Sequence, residues 1–315
     1  MATHELHPTR ASLHGRFSND LPPALTVASG DSIVASTLDA DWALVEQSDP
    51  FGPPAKFEPL TEDDKAGHSL LGPIAVEGAE PGDALEIQLH TIRPSTRGWV
   101  CAGGWPSEFN KRLGLDTAEH FRSQWHIDTD AGTATNAKGQ TLSLWPFLGW
   151  IGLMPAEKGM HSTTPPRRVG GNLDCRELVA GTSLFLPVEV AGGLLSFGDG
   201  HAVQGDGEVA GPALECPTER VEMTLVVHKA AAPNLPYANT PAGWVTLGFG
   251  KALDDAMYAA LNGMVDRLAS ALSVSRAEAL ALCSMKASLR VTQIVNQAKG
   301  VHALLPTEAL RELGL

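Results

Sequence analysis

The stretch ALEIQLHTI, residues 84 to 92, alternates apolar and polar side chains along most of its length. Because successive side chains of an extended strand point to opposite faces, this period of two predicts a strand with one buried face. The alternation recurs in SLFLPVEV at residues 183 to 190 and in RVEMTLVVH at residues 220 to 228. The tetrapeptide EPGD, residues 80 to 83, carries Pro and Gly where a type II turn requires them. These patterns predict a mainly β fold, an antiparallel sandwich or barrel.

The last quarter of the chain has a helical period instead. Apolar residues recur three and four positions apart from Leu253 to Leu272, which predicts one long amphipathic helix. A second helix is expected after Ser275, whose side chain can form a capping box with that of Glu278, and it should end at about Ala287.

Two shorter elements complete the C-terminal region. LRVTQIVN at residues 289 to 296 predicts a strand, and PTEALREL at residues 306 to 313 predicts a short helix opened by Thr307. We therefore divide the chain into a β-rich body, residues 1 to 230, and a smaller α/β C-terminal part, residues 231 to 315.

The composition excludes several classes of partner. The 315 residues include 36 acidic and 23 basic side chains, and the formal charge of -13 repels phosphate backbones and anionic lipid surfaces. We expect no nucleic-acid partner and no membrane partner, and the lack of an apolar leader favours a cytoplasmic protein. The four cysteines have no C-x-x-C spacing, so reduced thiols are expected. Sheet edges and the long amphipathic helix offer surfaces for a homo-oligomer, such as a homodimer.

GDGHAVQGDGEVAG, residues 198 to 211, contains the side chains that could carry chemistry. If the segment is extended at Asp199 and His201, these residues project from the same face and could touch one metal ion. Glu208 could then act as a general base or as a third ligand. The alternative is that this glycine-rich stretch is only a tight turn. Asp206 receives no role.

Two further segments add candidates. Asp174, in PPRRVGGNLDCRE at residues 165 to 177, is a credible further ligand or else a cap beside the glycines. His68, in GHSLLGP at residues 67 to 73, could be a ligand or a substrate contact. Serine-nucleophile and nucleotide-binding motifs are absent, and the neighbouring cysteine of Asp174 is more consistent with packing than with catalysis. Four tryptophans, interpreted as packing residues with pocket lining as the alternative, are Trp99, Trp105, Trp145 and Trp150.

Three of these segments together resemble the acetamidase/formamidase family: residues 67 to 87, residues 170 to 215, and RVTQIVN at residues 290 to 296. The resemblance extends from about residue 22 to residue 306, and the order G-G-N-x-D, L-P-V, G-D-x-H-A-x-Q-G-D-G-E is its most specific part. It implies a mainly β protein with a smaller α/β part. It also implies a divalent metal ion and the hydrolysis of a short aliphatic amide to ammonia and a carboxylic acid.

The resemblance also implies the site residues. Asp174, Asp199 and His201 would bind the metal, which we expect to be zinc with calcium as the alternative, and Glu208 would act as the general base. Backbone N–H groups near Gly170 and Gly171 would hold the developing oxyanion, and Asn172 and His68 would contact the substrate. Because His201 must be neutral to bind a metal, we expect activity to fall at acid pH.

Two alternatives to this function stay open. One is a metal-dependent hydrolase of another C–N bond, in an imide, a carbamate or a larger amide. The other is a non-catalytic, metal-stabilised β-sandwich that only binds a ligand. The residues that precede the G-G-N motif, Arg167 and Arg168, depart from the small or apolar residues expected there, so the sequence leaves substrate size open.

Overall fold

The computed structural model describes residues 1–44 and 54–315. The elements in chain order are β1 (Thr3–Leu6), β2 (Leu13–His14), β3 (Leu25–Val27), β4 (Ser32–Thr37), α1 (Glu62–Lys65), β5 (Leu70–Val76), β6 (Ala84–Pro94), β7 (Arg97–Ala102), α2 (Glu108–Leu113), β8 (Phe121–Asp128), β9 (Thr133–Asn136), β10 (Thr141–Ser143), β11 (Phe147–Leu153), β12 (Gly170–Asn172), β13 (Ser183–Pro187), β14 (Leu195–Val203), β15 (Leu214–Cys216), β16 (Thr218–His228), β17 (Tyr237–Thr240), β18 (Gly243–Gly250), α3 (Leu253–Leu272), α4 (Arg276–Lys286), β19 (Ser288–Gln293), β20 (Lys299–Pro306) and α5 (Thr307–Glu312). Strands hold 41% of the residues and helices 15%, which confirms the mainly β prediction.

A nine-stranded sheet contains the strands on which the fold prediction was based. Its order is β1-β4-β16-β6-β13-β17-β18-β20-β19. β6 and β16 pair antiparallel along almost their whole length, and β13 lies on the other side of β6. β13 ends at Pro187, three residues earlier than predicted. The predicted turn before β6 is present: Gly82 has φ +97°, and the N–H of Asp83 donates to the carbonyl oxygen of Glu80 at 3.0 Å.

An eleven-stranded sheet carries the motif residues. Its main path is β10-β9-β8-β7-β15-β14-β11-β12, and β2, β3 and β5 attach through the pairing of β5 with β14. β14 is hydrogen-bonded to β11 on one side and to β15 and β5 on the other. Eight of its nine residues are buried. A charged side chain on this strand is therefore held in the interior of the protein.

The main core joins the two sheets. Buried side chains from both contribute to one hydrophobic cluster, which includes Ile33, Leu85, Ile87, Leu148, Ile151, Phe197, Val221 and Met223. A second cluster lies between α3, α4, α5 and the strands β18 and β20, and it includes Ala260, Met264, Leu268, Cys283 and Leu305. β17 nevertheless pairs with β13, so the nine-stranded sheet continues across residue 230. The main core also extends past residue 230, since it includes Ala238, Val245 and Leu247.

The predicted C-terminal elements occur in the predicted order, but β20, which lies between β19 and α5, was not predicted. α3 has the predicted bounds, and the Ser275 side chain accepts the N–H of Glu278 at the start of α4. β19 stops at Gln293 because the Gln293 Oε1 accepts the N–H groups of Val295 and Asn296, which turns the chain. α5 begins at Thr307 as predicted, but Pro306 is the N-cap, and the Thr307 hydroxyl donates to the carbonyl oxygen of Pro241 instead of capping the helix.

Within residues 1–44 and 54–315, no single helix is both long enough and apolar enough to span a membrane. α3 and α4 meet the requirement only when they are counted together, and they meet at an angle of 113°.

Candidate active site

β14 places Asp199 and His201 side by side in the interior. Asp199 is 3% exposed and His201 is 1% exposed. The prediction assumed extended backbone at both residues, but Asp199 has φ +57°, in the left-handed region. The two side chains still meet, with His201 Nε2 at 3.4 Å from Asp199 Oδ1.

Asp174 and Glu208 have the same left-handed backbone conformation as Asp199, with φ +47° at both residues. L-residues avoid this region at a cost of roughly 1–2 kcal/mol each. Such strain tends to gather at functional sites, where the surrounding structure enforces it. At Asp174 the enforcing contact is visible: the N–H groups of Leu173 and Asp174 both donate to the carbonyl oxygen of Gly149. The predicted acids are therefore held in place by the backbone itself.

A fifth group, Glu215, was missed by the sequence analysis. It lies on β15 directly opposite His201, and its Oε1 is 3.3 Å from His201 Nε2. The same oxygen accepts the N–H of Ala213 at 2.9 Å. The available signal was an acid inside the short apolar run ALEC, residues 213 to 216, because glutamate is seldom buried unless it is paired.

The acid cluster, as we call Asp174, Asp199, His201, Glu208 and Glu215 together, contains two overlapping sets of groups that could hold a metal ion. One set is Asp174, Asp199 and His201, the predicted ligands, and the other is His201, Glu208 and Glu215. In each set the ligand atoms all lie within 4.8 Å of one another. The structure therefore brings the four predicted residues to one place and adds Glu215.

Several polar atoms of the acid cluster are buried without a hydrogen-bond partner among the described residues: Asp174 Oδ1, His201 Nε2 and Glu215 Oε2. A buried polar atom left unpaired costs roughly 1–3 kcal/mol, so these atoms indicate a missing partner. Within residues 1–44 and 54–315, His201 is also the only basic side chain that pairs with the four carboxylates. A divalent cation would satisfy both the unpaired atoms and the excess negative charge.

The pKa values of the acid cluster show the same shortage of positive charge. Burial raises the pKa of Asp174 to about 8, and the neighbouring carboxylates add to that rise. Burial also raises the pKa of Glu215 to about 7 and the pKa of Glu208 well above its ordinary value. Burial would raise the pKa of Asp199 too, but His201 and His68 outweigh it and hold that pKa well below its ordinary range.

Gln204 determines which nitrogen of His201 faces the cluster. The Nε2 group of Gln204 donates to the backbone carbonyl oxygen of Asp174 at 2.8 Å, so its Oε1 faces His201 Nδ1 at 2.9 Å. Because an amide oxygen only accepts, Nδ1 must carry a proton. In its neutral form His201 would therefore present the lone pair of Nε2 to the acid cluster, which is the arrangement that a metal ligand requires.

Two more residues bound the acid cluster and were not predicted. Asn296 donates from its Nδ2 to Asp174 Oδ2 and, at 3.4 Å, to Glu208 Oε2. Gly149 on β11 leaves the central space free: a Cβ there would lie 2.6 Å from His201 Cε1 and 2.8 Å from carboxylate oxygens of Asp174 and Asp199. The motif RVTQIVN contained Asn296 but gave no indication of its role.

The predicted substrate contacts are only partly near the acid cluster. His68 lies close enough to influence the pKa of Asp199, and its Nδ1 is 2.8 Å from Thr163 Oγ1. Asn172 donates to the carbonyl oxygen of Thr164, and its buried Oδ1 has no hydrogen-bond partner among residues 1–44 and 54–315.

The backbone near Gly170 and Gly171, proposed to hold an oxyanion, lies on β12, and the N–H of Gly170 itself already has an acceptor. This N–H donates to the carbonyl oxygen of Arg167 at 3.1 Å. Gly171 lies beside it on β12, where it pairs with Ile151 of β11. A Cβ at Gly170 would meet Ile151 and Gly152 backbone rather than the acid cluster.

The tryptophans, the cysteines and Asp206 are the remaining residues that the sequence singled out. Trp150 is buried and packs edge-on against Phe17, and the Trp99 indole N–H donates to Asp39 Oδ2 at 3.0 Å. All four cysteines are free, and burial raises the pKa of the Cys175 thiol far above its ordinary value, which makes it a poor nucleophile. Asp206 binds Arg290 of β19 through its Oδ2 at 2.6 Å.

Comparison with known proteins identifies relatives of this architecture. The model of the Acetamidase/Formamidase family matches residues 2–162 and 156–242. The acetamidase of Mycolicibacterium smegmatis is 27% identical over 253 residues, 62% of this chain and 61% of that protein. The formamidase of Methylophilus methylotrophus is 25% identical over 246 residues, 62% of this chain and 59% of that protein. The chain thus spans about three fifths of the length of these curated relatives.

A solved structure gives the same result over the whole chain. The crystal structure of an acetamidase from Bacillus halodurans superposes with a TM-score of 0.83 at 28% identity. The match covers 99% of this chain and 100% of that one. With a family model that matches most of its length, this chain belongs to the acetamidase/formamidase family.

Proposed function

We propose that the chain is a metal-dependent hydrolase that cleaves the C–N bond of a small linear amide, of the formamide or acetamide type, to ammonia and a carboxylic acid. The observation that carries this proposal is the acid cluster, which contains buried atoms without a hydrogen-bond partner among the described residues and groups that could hold a metal ion. The family to which the chain belongs is named for two amidases of this kind. The names of the relatives support the amide as the substrate.

Asp174, Asp199 and His201 would hold the metal. Two carboxylates and one imidazole are a ligand set that suits zinc, whereas calcium prefers a shell of six to eight oxygens. His201 Nε2 therefore favours zinc. A divalent cation bound there would act as a Lewis acid toward the amide carbonyl and would increase the acidity of water.

The other residues of the acid cluster would handle protons. Burial and Asp174 raise the pKa of Glu208, so its carboxylate accepts a proton from the attacking water more readily than an exposed glutamate does. The protonated Glu208 can then return that proton to the departing nitrogen. Asn296 donates to Glu208 Oε2 and so limits its orientation. Glu215 is the alternative proton acceptor, because its Oε2 is also buried and unpartnered.

An ammonia-release assay over formamide, acetamide, carbamates and cyclic imides tests this function. We expect wild type to release ammonia from the linear amides, a chelator to abolish the release, and zinc to restore it. His201→Ala should be inactive at any metal concentration, whereas His90→Ala, at an exposed position on β6, should match wild type.

Each other outcome has a defined meaning. Activity that a chelator does not affect would exclude the metal. Release from carbamates or imides alone would identify a hydrolase of another C–N bond. An inactive protein that still binds zinc through His201 would be a binding module.

A further inference from the structure

A cavity of about 270 Å³ adjoins the acid cluster. Glu208 and Gln204 border it, and so does Leu214, the chain neighbour of Glu215. Most of its other wall is apolar and is formed by Val100, Trp125, Leu142, Val203, Val209, Ala210, Pro212 and Ala213. The cavity therefore has one polar end, at the proton-transfer residue, and an apolar body.

The cavity is large for formamide or acetamide. Its volume of about 270 Å³ is close to the roughly 300 Å³ at which pockets for much larger, drug-sized ligands begin. Formamide has three non-hydrogen atoms and acetamide four. A substrate of that size would leave most of the apolar wall facing water, and apolar surface that stays in water contributes nothing to binding.

The charges at the cavity also restrict the ligand. Its wall includes Asp206, and Arg290 neutralises that carboxylate at 2.6 Å. The lining contains no lysine or arginine among the described residues, so a ligand with a carboxylate or phosphate tail would find no counter-charge there. A neutral apolar tail fits the wall best.

We infer that this cavity is an acyl pocket, and that the preferred substrates are primary amides with an apolar acyl chain of about four to six carbons. This inference rests on the proposed function. The amide carbon would lie at Glu208, and the acyl chain would extend along Val100, Trp125 and Leu142. Three strands contribute these side chains: β7, β8 and β10.

The first test measures kcat/KM over formamide, acetamide, propanamide, butanamide, pentanamide and hexanamide with zinc-loaded protein. Each methylene that becomes buried should raise kcat/KM about fourfold, up to the length of the pocket. A series that is flat or falls beyond acetamide would overturn the inference and leave the proposed function intact. No ammonia from any amide, at any zinc concentration, would overturn the proposed function and the inference with it.

The second test uses Leu142→Asp, which places a charge in the apolar wall. Leu142 is 45% exposed on β10, so the fold should tolerate the change. The ratio of kcat/KM for pentanamide to that for acetamide should fall about fourfold, because the acyl chain loses apolar contact equivalent to about one methylene. Leu289→Asp is the matched control, since Leu289 is 43% exposed on β19 outside the cavity, and its ratio should equal that of wild type. Equal ratios in the two variants would overturn the inference.

Discussion

The acid cluster and the turn at residues 80 to 83 both contain a buried aspartate, but the two carboxylates are held in opposite ways. Burial does not separate them, since Asp83 is 4% exposed and Asp174 is 1% exposed. Around Asp83, Lys229 Nζ donates at 2.6 Å and the N–H groups of Ala230 and Glu80 each donate at 2.9 Å. These donors lower the pKa of Asp83 to about 2.

Asp174 has a donor for only one oxygen. Asn296 donates to its Oδ2, whereas Oδ1 has no partner among the described residues, and burial raises its pKa to about 8. The hydrogen bonds of the turn are therefore complete within the protein, whereas the acid cluster keeps unpaired atoms among the described residues and contains groups that could hold a cation. Substitutions at the acid cluster should therefore reduce activity with little loss of stability. Substitutions at the turn should reduce stability with little loss of activity.

The largest effect is expected from Glu208→Gln. The amide keeps the size of the side chain but cannot accept a proton, and general acid–base groups contribute about 10²–10⁴-fold to rate. We expect kcat for acetamide to fall by that factor, with the zinc content unchanged and Tm within a few degrees of wild type. Stopped assays of ammonia release, metal analysis and thermal melts measure the three quantities.

Glu62→Gln is the control for Glu208→Gln, because the Glu62 side chain is 90% exposed on α1 and should leave activity unchanged. If Glu208→Gln kept wild-type activity within threefold, Glu215 would replace it as the proton acceptor. A large loss of stability instead would mean that Glu208, like Asp83, mainly stabilises the fold.

Gly149→Ala should have the next largest effect. The added Cβ would lie under 3 Å from His201, Asp174 and Asp199, so it must displace groups that we assign to the metal. Displacements of about 1 Å in a catalytic site can reduce rates by about 100-fold, and we expect kcat/KM to fall by that amount. Zinc affinity, measured by competition with a chromogenic chelator, should weaken by at least tenfold.

Gly263→Ala provides the matched glycine control. Gly263 lies on α3, and its Cβ would approach only the Thr246 side chain, at 3.3 Å. Its activity and zinc affinity should equal those of wild type. Equal zinc affinity in Gly149→Ala and Gly263→Ala would contradict the assigned ligand set.

The sequence predicted the regular parts of the molecule because their signals are local. The period-two alternation of residues 84 to 92 and the helical period from Leu253 to Leu272 both gave elements that the structure contains. The acids of the glycine-rich motifs became candidates through their residue types and the family resemblance, because the local pattern alone was equally consistent with a tight turn. The left-handed backbone at Asp199 was not predictable, since no propensity rule favours it for an aspartate within a strand.

The missed residues depend on contacts between distant parts of the chain. Gly207 donates its N–H to Thr292 and accepts the N–H of Ile294, which ties the loop that carries Glu208 to the end of β19. This contact brings Asn296 to Glu208 across 88 residues of sequence. Glu215 similarly reaches His201 only through the pairing of β15 with β14. A single sequence contains no signal for either pairing.

Asn296→Ala tests the long-range contact and should have a moderate effect. Without this donor, two carboxylates of the acid cluster lose a hydrogen bond, and loss of a residue that hydrogen-bonds metal ligands typically reduces activity or affinity about 10-fold or more. We expect kcat/KM to fall about tenfold. Asn262→Ala, at an exposed position on α3, should show no change. A loss of activity only in proportion to lost stability would make Asn296 a structural residue like those around Asp83.

Asp83→Asn should have the smallest effect, and on stability rather than activity. The change removes the charge that Lys229 and two backbone N–H groups stabilise, and near neutral pH we expect Tm to fall by about 2–3 °C with activity unchanged. The sign of the pH dependence follows from the folded pKa of about 2, which lies below the ordinary value for aspartate. The stabilisation is therefore complete above about pH 4 and is lost as the pH falls toward about 2. Thermal melts of wild type and variant should converge over that interval, and a constant difference in Tm would show that Asp83 acts through its shape rather than its charge.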